Sequence, residues 1–276
     1  MTTSSPESSG AAGTVPPGTA PLAVVTGAST GIGRALAREF VEHGFDVVIA
    51  ADEPEIQAAA ADLTTADHHV FPVQVDLSTA DGVETLHRRI TASGRTPEAL
   101  ALNAGIGVNG RFDQTELEDD LRLVDLNVRS TVHLAKLVLR DMVGAGRGRV
   151  LVTSSIAAVA PGPYHTTYAA SKAFVHSFAE GIREELKDTG VTVTSLMPGP
   201  TETEFFKRAD MEDTKVGQAK KDDAQEVAHD GFEALMAGKS SVVAGSAKNR
   251  IQAELGTHLP DALAAPLMAR MTKPQD

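Results

Sequence analysis

Leu22-Ala23-Val24-Val25-Thr26-Gly27-Ala28-Ser29-Thr30-Gly31-Ile32-Gly33 joins a short apolar run to a turn with three glycines. The run Leu22 to Thr26 has the length and composition of a buried parallel strand, and Arg34 to Val41 reads as a helix. Strand, glycine-rich turn and helix in that order make a phosphate cradle. The glycines let the backbone turn sharply and approach a pyrophosphate, while the helix N-terminus offers free N–H groups and a positive dipole end. Gly27, Ser29, Thr30, Gly31, Ile32 and Gly33 are therefore expected to line a nucleotide site. The Gly-x-x-x-Gly-x-Gly spacing differs from the G-x-G-x-x-G fingerprint. It also differs from a P-loop, because Arg34 follows Gly33 where a Lys-Ser/Thr pair would stand. The plain alternative is a glycine-rich connection packed tightly on a sheet.

Downstream, strand and helix patterns alternate. Val47 to Ala50 reads as a second strand, and Asp52 follows it about 20 positions past the glycines, with Glu53 next. An acid there can hydrogen-bond adenosine ribose hydroxyls. With no Arg or Lys nearby in sequence, this favours NAD over NADP; otherwise the two acids simply open the next helix. A helix over 54–63 leads to a third strand, 70–75, closed by Asp76-Leu77-Ser78, where Asp76 either meets an adenine rim or caps a helix. A helix over 80–93 precedes a strand at 99–102 that runs into Asn103-Ala104-Gly105. Such alternation gives a parallel sheet with right-handed crossovers and ligands outside the carboxyl ends of its strands, where Gly27, Asp76 and Asn103 all fall.

Residues 115–143 read as one long helical stretch, too apolar for a single stripe, so a partner helix is expected over its second face, and Asn127 sits among its apolar residues. A buried amide must find partners, so Asn127 on its own reads as bonded to neighbouring backbone. A strand at 150–153 ends in Ser154-Ser155, and a disordered-looking turn through Pro161-Gly162-Pro163 precedes a helix reaching about Lys187. A sixth strand, 191–196, ends in Met197-Pro198-Gly199-Pro200-Thr201; residues 202–221 then read as a lid or a solvated loop, with Phe205-Phe206 as anchor. A helix over 224–236, a strand at 241–244 and a helical tail from 247, broken at Pro260 and Pro266, complete a domain spanning 21–276.

Tyr168 and Lys172 lie four apart on the helix after the Pro-Gly-Pro turn, hence on one face. A cation there can favour the phenolate and pull the tyrosine pKa down from about 10. A tyrosine so tuned can exchange a proton with a carbinol oxygen.

The totals bound the partners. With 276 residues, 42% of them apolar, and a net charge of −12, the chain suits neither nucleic acid nor an anionic membrane. It has no cysteine, hence no thiolate chemistry, and His68-His69 reads as structural, so no metal site is expected. No apolar run reaches the ~18 residues of a membrane span. Residues 1–20, rich in Ser, Thr, Pro and Gly, read as a disordered tail without a signal peptide, which leaves a cytoplasmic protein as the expectation.

Thr26-Gly27-x-x-x-Gly31-x-Gly33, Asn103-Ala104-Gly105, Asn127, Ser155, Tyr168-x-x-x-Lys172 and Pro198-Gly199, in this order, resemble the short-chain dehydrogenase/reductase family over about residues 21–246. The resemblance implies a single Rossmann-like, doubly wound α/β domain with a seven-stranded parallel sheet of order 3-2-1-4-5-6-7, a nicotinamide cofactor, and a homodimer or homotetramer. It implies Tyr168 as catalytic acid/base, Lys172 as the partner that lowers its pKa and bonds the nicotinamide ribose, Ser155 as catalytic serine, and Asn127 holding a water beside Lys172. Asp76 and Leu77 would flank adenine; Thr203 and the backbone near Thr201 would grip the carboxamide. NAD-using relatives often carry Asp at the position of Ala51, and NADP-using ones Arg at that of Asp52; this chain has neither. NAD is expected, with NADP open. The substrate expected is a small secondary alcohol or ketone. A SAM-dependent methyltransferase or a silent nucleotide sensor would share the glycine-rich turn but has no use for Ser155, Tyr168 and Lys172 together.

Overall fold

Seven short runs, rich in Val, Leu, Ile and Ala and mostly buried on both faces, form seven strands in the computed structural model, which describes residues 19–275. The tail expected over 1–20 lies outside the described residues except for its last two positions. The strands are β1 (Leu22–Thr26), β2 (Asp46–Ala51), β3 (Val70–Gln74), β4 (Ala99–Leu102), β5 (Gly148–Thr153), β6 (Val191–Pro198) and β7 (Ser241–Ala244). All neighbouring pairs are parallel, and the order is 3-2-1-4-5-6-7, as expected.

Helices α1 (Gly31–Glu42), α2 (Ile56–Leu63) and α3 (Ala80–Thr91) follow the first three strands. After β4 come α4 (Leu117–Val124) and α5 (Ser130–Ala145), and after β5 comes α6 (Thr166–Leu186). One apolar layer joins the sheet to Leu36 and Phe40 of α1 and Ile56 of α2. It also takes Phe232 and Leu235 from the chain between β6 and β7. The other layer joins the sheet to Leu86 and Ile90 of α3, Leu134, Val138 and Met142 of α5, and Val175 of α6. Helices therefore cover both faces, and the carboxyl ends of the strands converge on one edge.

Three expectations need correction. The single helix over 115–143 widens into a π-helical turn at Asp125–Arg129. The cause is Asn127, whose Oδ1 accepts from the Ile106 amide at 2.9 Å and whose Nδ2 donates to the Ile106 carbonyl at 2.9 Å, drawing the turn toward β4. Leu117, Leu121 and Val124 stay exposed rather than covered by a partner helix within the chain. The turn through Pro161-Gly162-Pro163 is ordered: a Cβ on Gly162 would stand 2.6 Å from that of Ala169, so the loop lies flat on α6.

Beyond β6, α7 (Phe205–Arg208) and α8 (Lys215–Gln218) lie in the 202–221 segment, followed by α9 (Ala224–Met236). Asp222 closes the neck of that segment, donating its amide to the Pro200 carbonyl and accepting from the Glu202 amide, each at 2.8 Å. Phe206, Ala209 and Met211 form a small core inside it. The tail folds as α10 (Ala247–His258) and α11 (Asp261–Thr272). It breaks at Pro260 as expected, but Pro266 lies inside α11 without ending it. The end of α11 is anchored from outside: the Thr272 hydroxyl donates to the Pro163 carbonyl at 2.6 Å, and the Thr272 carbonyl accepts from Asn109 at 3.0 Å. These bonds offset the one that proline removes. Among the described residues, no helix is long and apolar enough to cross a membrane.

Candidate active site

The turn after β1 is held in shape by what its glycines exclude. Gly27 and Gly31 sit at φ of 65° and 56°, where side chains are strained. A Cβ on Gly27 would stand 2.7 Å from the Ala104 Cα, and one on Gly31 2.9 Å from the Thr203 methyl. A Cβ on Gly33 would collide with the Gly27 carbonyl. Asn103 locks the strand ends together, donating to the carbonyls of Thr26 at 3.1 Å and Gly27 at 3.3 Å and accepting from Thr153 at 3.2 Å.

One cleft lies along this edge. Every residue expected at the site lines it, except Asn127. Asn127 is buried one layer behind, and its remaining amide hydrogen goes to Ser171 at 3.0 Å. It reaches the cleft through Gly105, where an added Cβ would meet Asn127 Oδ1 at 3.1 Å and Lys172 Nζ at 3.2 Å.

At the centre stand Ser155, Tyr168 and Lys172. The Ser155 side chain lines the cleft beside the phenol, and its Oγ accepts from the Ala157 amide at 3.0 Å, capping the short 3₁₀ turn Ile156–Val159. Neighbouring Ser154 instead donates to the Lys172 carbonyl at 2.8 Å and fastens α6 to β5. Lys172 Nζ donates to the Thr153 carbonyl at 2.9 Å and lies 5.6 Å from the Tyr168 ring centroid. Burial pushes the phenol up to about 12, against the pull of the Ser155 hydrogen bond, and brings the lysine down to about 8. The expected lowering of the phenol is therefore overturned for the protein alone. The ammonium spends its hydrogen bond on a carbonyl, and desolvation outweighs its influence on the ring.

The two shifts act oppositely on stability. Below pH 8 the lysine is charged in folded and unfolded chains alike, and the fold bears the whole burial penalty. From 8 to 10.5 the folded lysine has shed a proton that the unfolded one keeps, so stability rises. The tyrosine's contribution is full below pH 10 and is lost as pH rises toward 12. Wild type is expected to gain about 2 kcal/mol on Lys172→Met between pH 7 and pH 10 in urea unfolding. A difference that stays flat over that range would show that the ammonium is not penalised.

Two parts of the cleft, His165 and the residues of α11, escaped sequence reasoning, whereas Phe205 belongs to the expected lid. His165, three residues before Tyr168, packs its ring 4.2 Å from the phenol ring; burial lowers it to about 4, so it is neutral, and Nδ1 donates to the Val108 carbonyl at 2.8 Å. Its distance of one helical turn from Tyr168 was the available signal. Phe205 of α7 stands 5.2 Å from Tyr168, centroid to centroid, and Met268 and Thr272 of α11 also reach the cleft.

The acidic end also differs from expectation. Arg122 of α4 reaches Asp52 at 3.1 Å and Asp76 at 4.0 Å, and Arg208 of α7 reaches Glu53 at 2.6 Å. The premise that no cation stands near Asp52 fails because helices distant in sequence fold back over β2. Asp76 does not cap α3, a role taken by the Thr79 hydroxyl, which accepts from Gly82 at 3.0 Å. Asp76 Oδ1 accepts instead from the amide and hydroxyl of Ser78 at 2.9 and 2.7 Å. Burial raises its carboxyl, but these bonds and Arg122 leave it below its usual value.

Residues 21–214 match the family described as short chain dehydrogenase. The chain is 35% identical over 184 residues to the probable oxidoreductase EphD of Mycobacterium tuberculosis, which covers 66% of this chain but only 31% of that protein. It thus spans about a third of that relative's length. Sulfoacetaldehyde reductase 2 of Chromohalobacter salexigens is 31% identical over 186 residues, covering 67% of this chain and 74% of that protein. A solved short-chain dehydrogenase from Sphingobium yanoikuyae in complex with NADPH is similar at 29% identity with a TM-score of 0.75, covering 81% of this chain and 87% of that one.

Proposed function

Since the chain belongs to the short-chain dehydrogenase family, we propose that it is an oxidoreductase moving a hydride between a nicotinamide dinucleotide and a small secondary alcohol or ketone. The observation that carries this reading is the meeting of Ser155, Tyr168 and Lys172, whose Nζ lies 5.6 Å from the phenol ring centroid, in the same cleft as the glycine cradle. The cradle suits the dinucleotide, because Gly27 and Gly31 hold the tight turn at positive φ and the N-terminus of α1 at Gly31–Gly33 lines the cleft. Gly27–Gly33, Asn103–Gly105 and Pro198–Thr203 would hold it, with Asp76 and Leu77 at the adenine end. When bound, the dinucleotide supplies the hydride donor or acceptor.

The chain's own residues supply the rest. Tyr168 takes the proton from the carbinol oxygen in oxidation and returns it in reduction. Ser155 donates a hydrogen bond to that oxygen as charge develops on it. Lys172, close under the ring, favours the phenolate once its own charge is held in place. Asn127 positions Lys172 through the loop at Gly105.

Asp52, just past the end of β2, supports NAD, since a carboxylate there accepts ribose hydroxyls and repels a 2′-phosphate. A second reading, NADP, is favoured by Arg122, which stands on Asp52, and by Arg208, which stands on its neighbour Glu53. Titrating wild type and Asp52→Arg with NADH and NADPH, followed by nicotinamide fluorescence, separates the two. NAD predicts tighter NADH binding in wild type and a shift toward NADPH in the variant. A panel of secondary alcohols and ketones, read at the nicotinamide absorbance, tests turnover; no dinucleotide binding at all would remove the proposal.

A further inference from the structure

The cleft is poorly charged for the ligand just proposed. Its lining carries four carboxylates, Asp52, Glu53, Asp76 and Glu204, against two cations, Lys172 and Arg208. A dinucleotide brings at least two negative phosphate charges of its own. Helix α1 offers backbone N–H groups and a positive end; Arg122 stands outside the lining, on Asp52 and Asp76, so a formal cation within the cleft is one of those two side chains. Lys172 is already committed: it is buried, it donates to the Thr153 carbonyl, and it stands under the Tyr168 ring. That leaves Arg208.

Arg208 is already one side chain away from the cradle. Its Nη1 meets Glu53 Oε1 at 2.6 Å, and Glu53 Oε2 accepts from the Ser29 hydroxyl of the glycine-rich turn at 2.6 Å. It is half exposed, so the guanidinium has room to turn. Its planar fork has five N–H donors, enough to meet a phosphate while keeping or releasing the carboxylate. The segment that carries it is seated on the cradle, since the Thr203 methyl fills the space above Gly31. Arg208 also ends the short helix that begins with Phe205, whose ring packs on Tyr168. One four-residue helix therefore touches the phosphate end and the proton-transfer end of the cleft.

We propose that Arg208 is a phosphate-binding residue of the dinucleotide site, delivered by the 202–221 segment and held ready on Glu53. The proposal rests on the dinucleotide reading above. Glu53 is then a competitor for the guanidinium as well as its holder.

Equilibrium binding to the full chain tests this, with NADH, NADPH and phosphate-free adenosine as probes. Arg208→Gln is expected to weaken NADH about 10- to 100-fold, the worth of a charge-assisted hydrogen bond, and to flatten the salt dependence of binding, while adenosine affinity holds. Equal losses for NADH and NADPH would place the contact at the pyrophosphate; a loss confined to NADPH would place it at the 2′-phosphate. Glu53→Gln is expected to leave NADH binding as tight or tighter, because the guanidinium loses its competitor. Should Arg208→Gln fold poorly, Arg208→Lys, which keeps the charge and loses the fork, carries the test with an intermediate loss. The inference is overturned if the arginine variants bind both NADH and NADPH like wild type, if NADH and adenosine weaken together, or if Glu53→Gln weakens NADH as much as Arg208→Gln. The last two outcomes would mean that the pair only fastens the lid. Wild type that bound neither dinucleotide would instead remove the reading beneath the inference.

Discussion

Tyr168→Phe is expected to lower kcat on an identified alcohol or ketone by about 10²- to 10⁴-fold, the usual contribution of a positioned acid/base, while NADH affinity is retained. The two effects separate because the phenol hydroxyl faces Ser155, whereas the cradle is formed largely by backbone that the substitution does not touch. The ring itself packs between His165 and Phe205, and phenylalanine preserves both contacts. A variant with near wild-type turnover would show that another group moves the proton. The pH profile adds a second check. The protein alone holds the phenol near 12 and Lys172 near 8, so an ionisation of kcat belongs to the phenol only where it vanishes in the variant, and one well below 12 that does so arises when the cleft is filled.

Ser155→Ala is expected to reduce kcat by about 10²- to 10³-fold, comparable to removing one preorganised donor from a developing oxyanion. Ser154→Ala is the paired control. Ser154 spends its hydroxyl on the Lys172 carbonyl, so its loss should appear as about 1 kcal/mol of stability with turnover largely kept. If the two serines exchanged these effects, the assignment of the cleft-facing hydroxyl would be wrong.

The strand pattern, the glycine spacing and the Tyr-Lys interval were legible because each is a local property. Burial on both faces writes itself as an apolar run, a tight backbone turn demands glycine, and a helix puts residues four apart on one face. Even so, elements that looked simple in sequence were altered by long-range bonds. Asn127 widened a helix by reaching Ile106, and Thr272 carried a helix through Pro266 by reaching Pro163. Neither partner can be inferred from spacing.

What the sequence by itself determined is the doubly wound sheet, the glycine-rich turn at its edge, and Ser155, Tyr168 and Lys172 as the candidates that share one cleft. What only the tertiary structure decided is the charge around them. Arg122 is 70 positions from Asp52, yet it neutralises the carboxylate on which the cofactor preference was read. Burial, which no local pattern measures, moves the Tyr168 phenol away from the working pH rather than toward it. Electrostatic energy depends on distance and dielectric in the folded chain, and a sequence lists its charges without either.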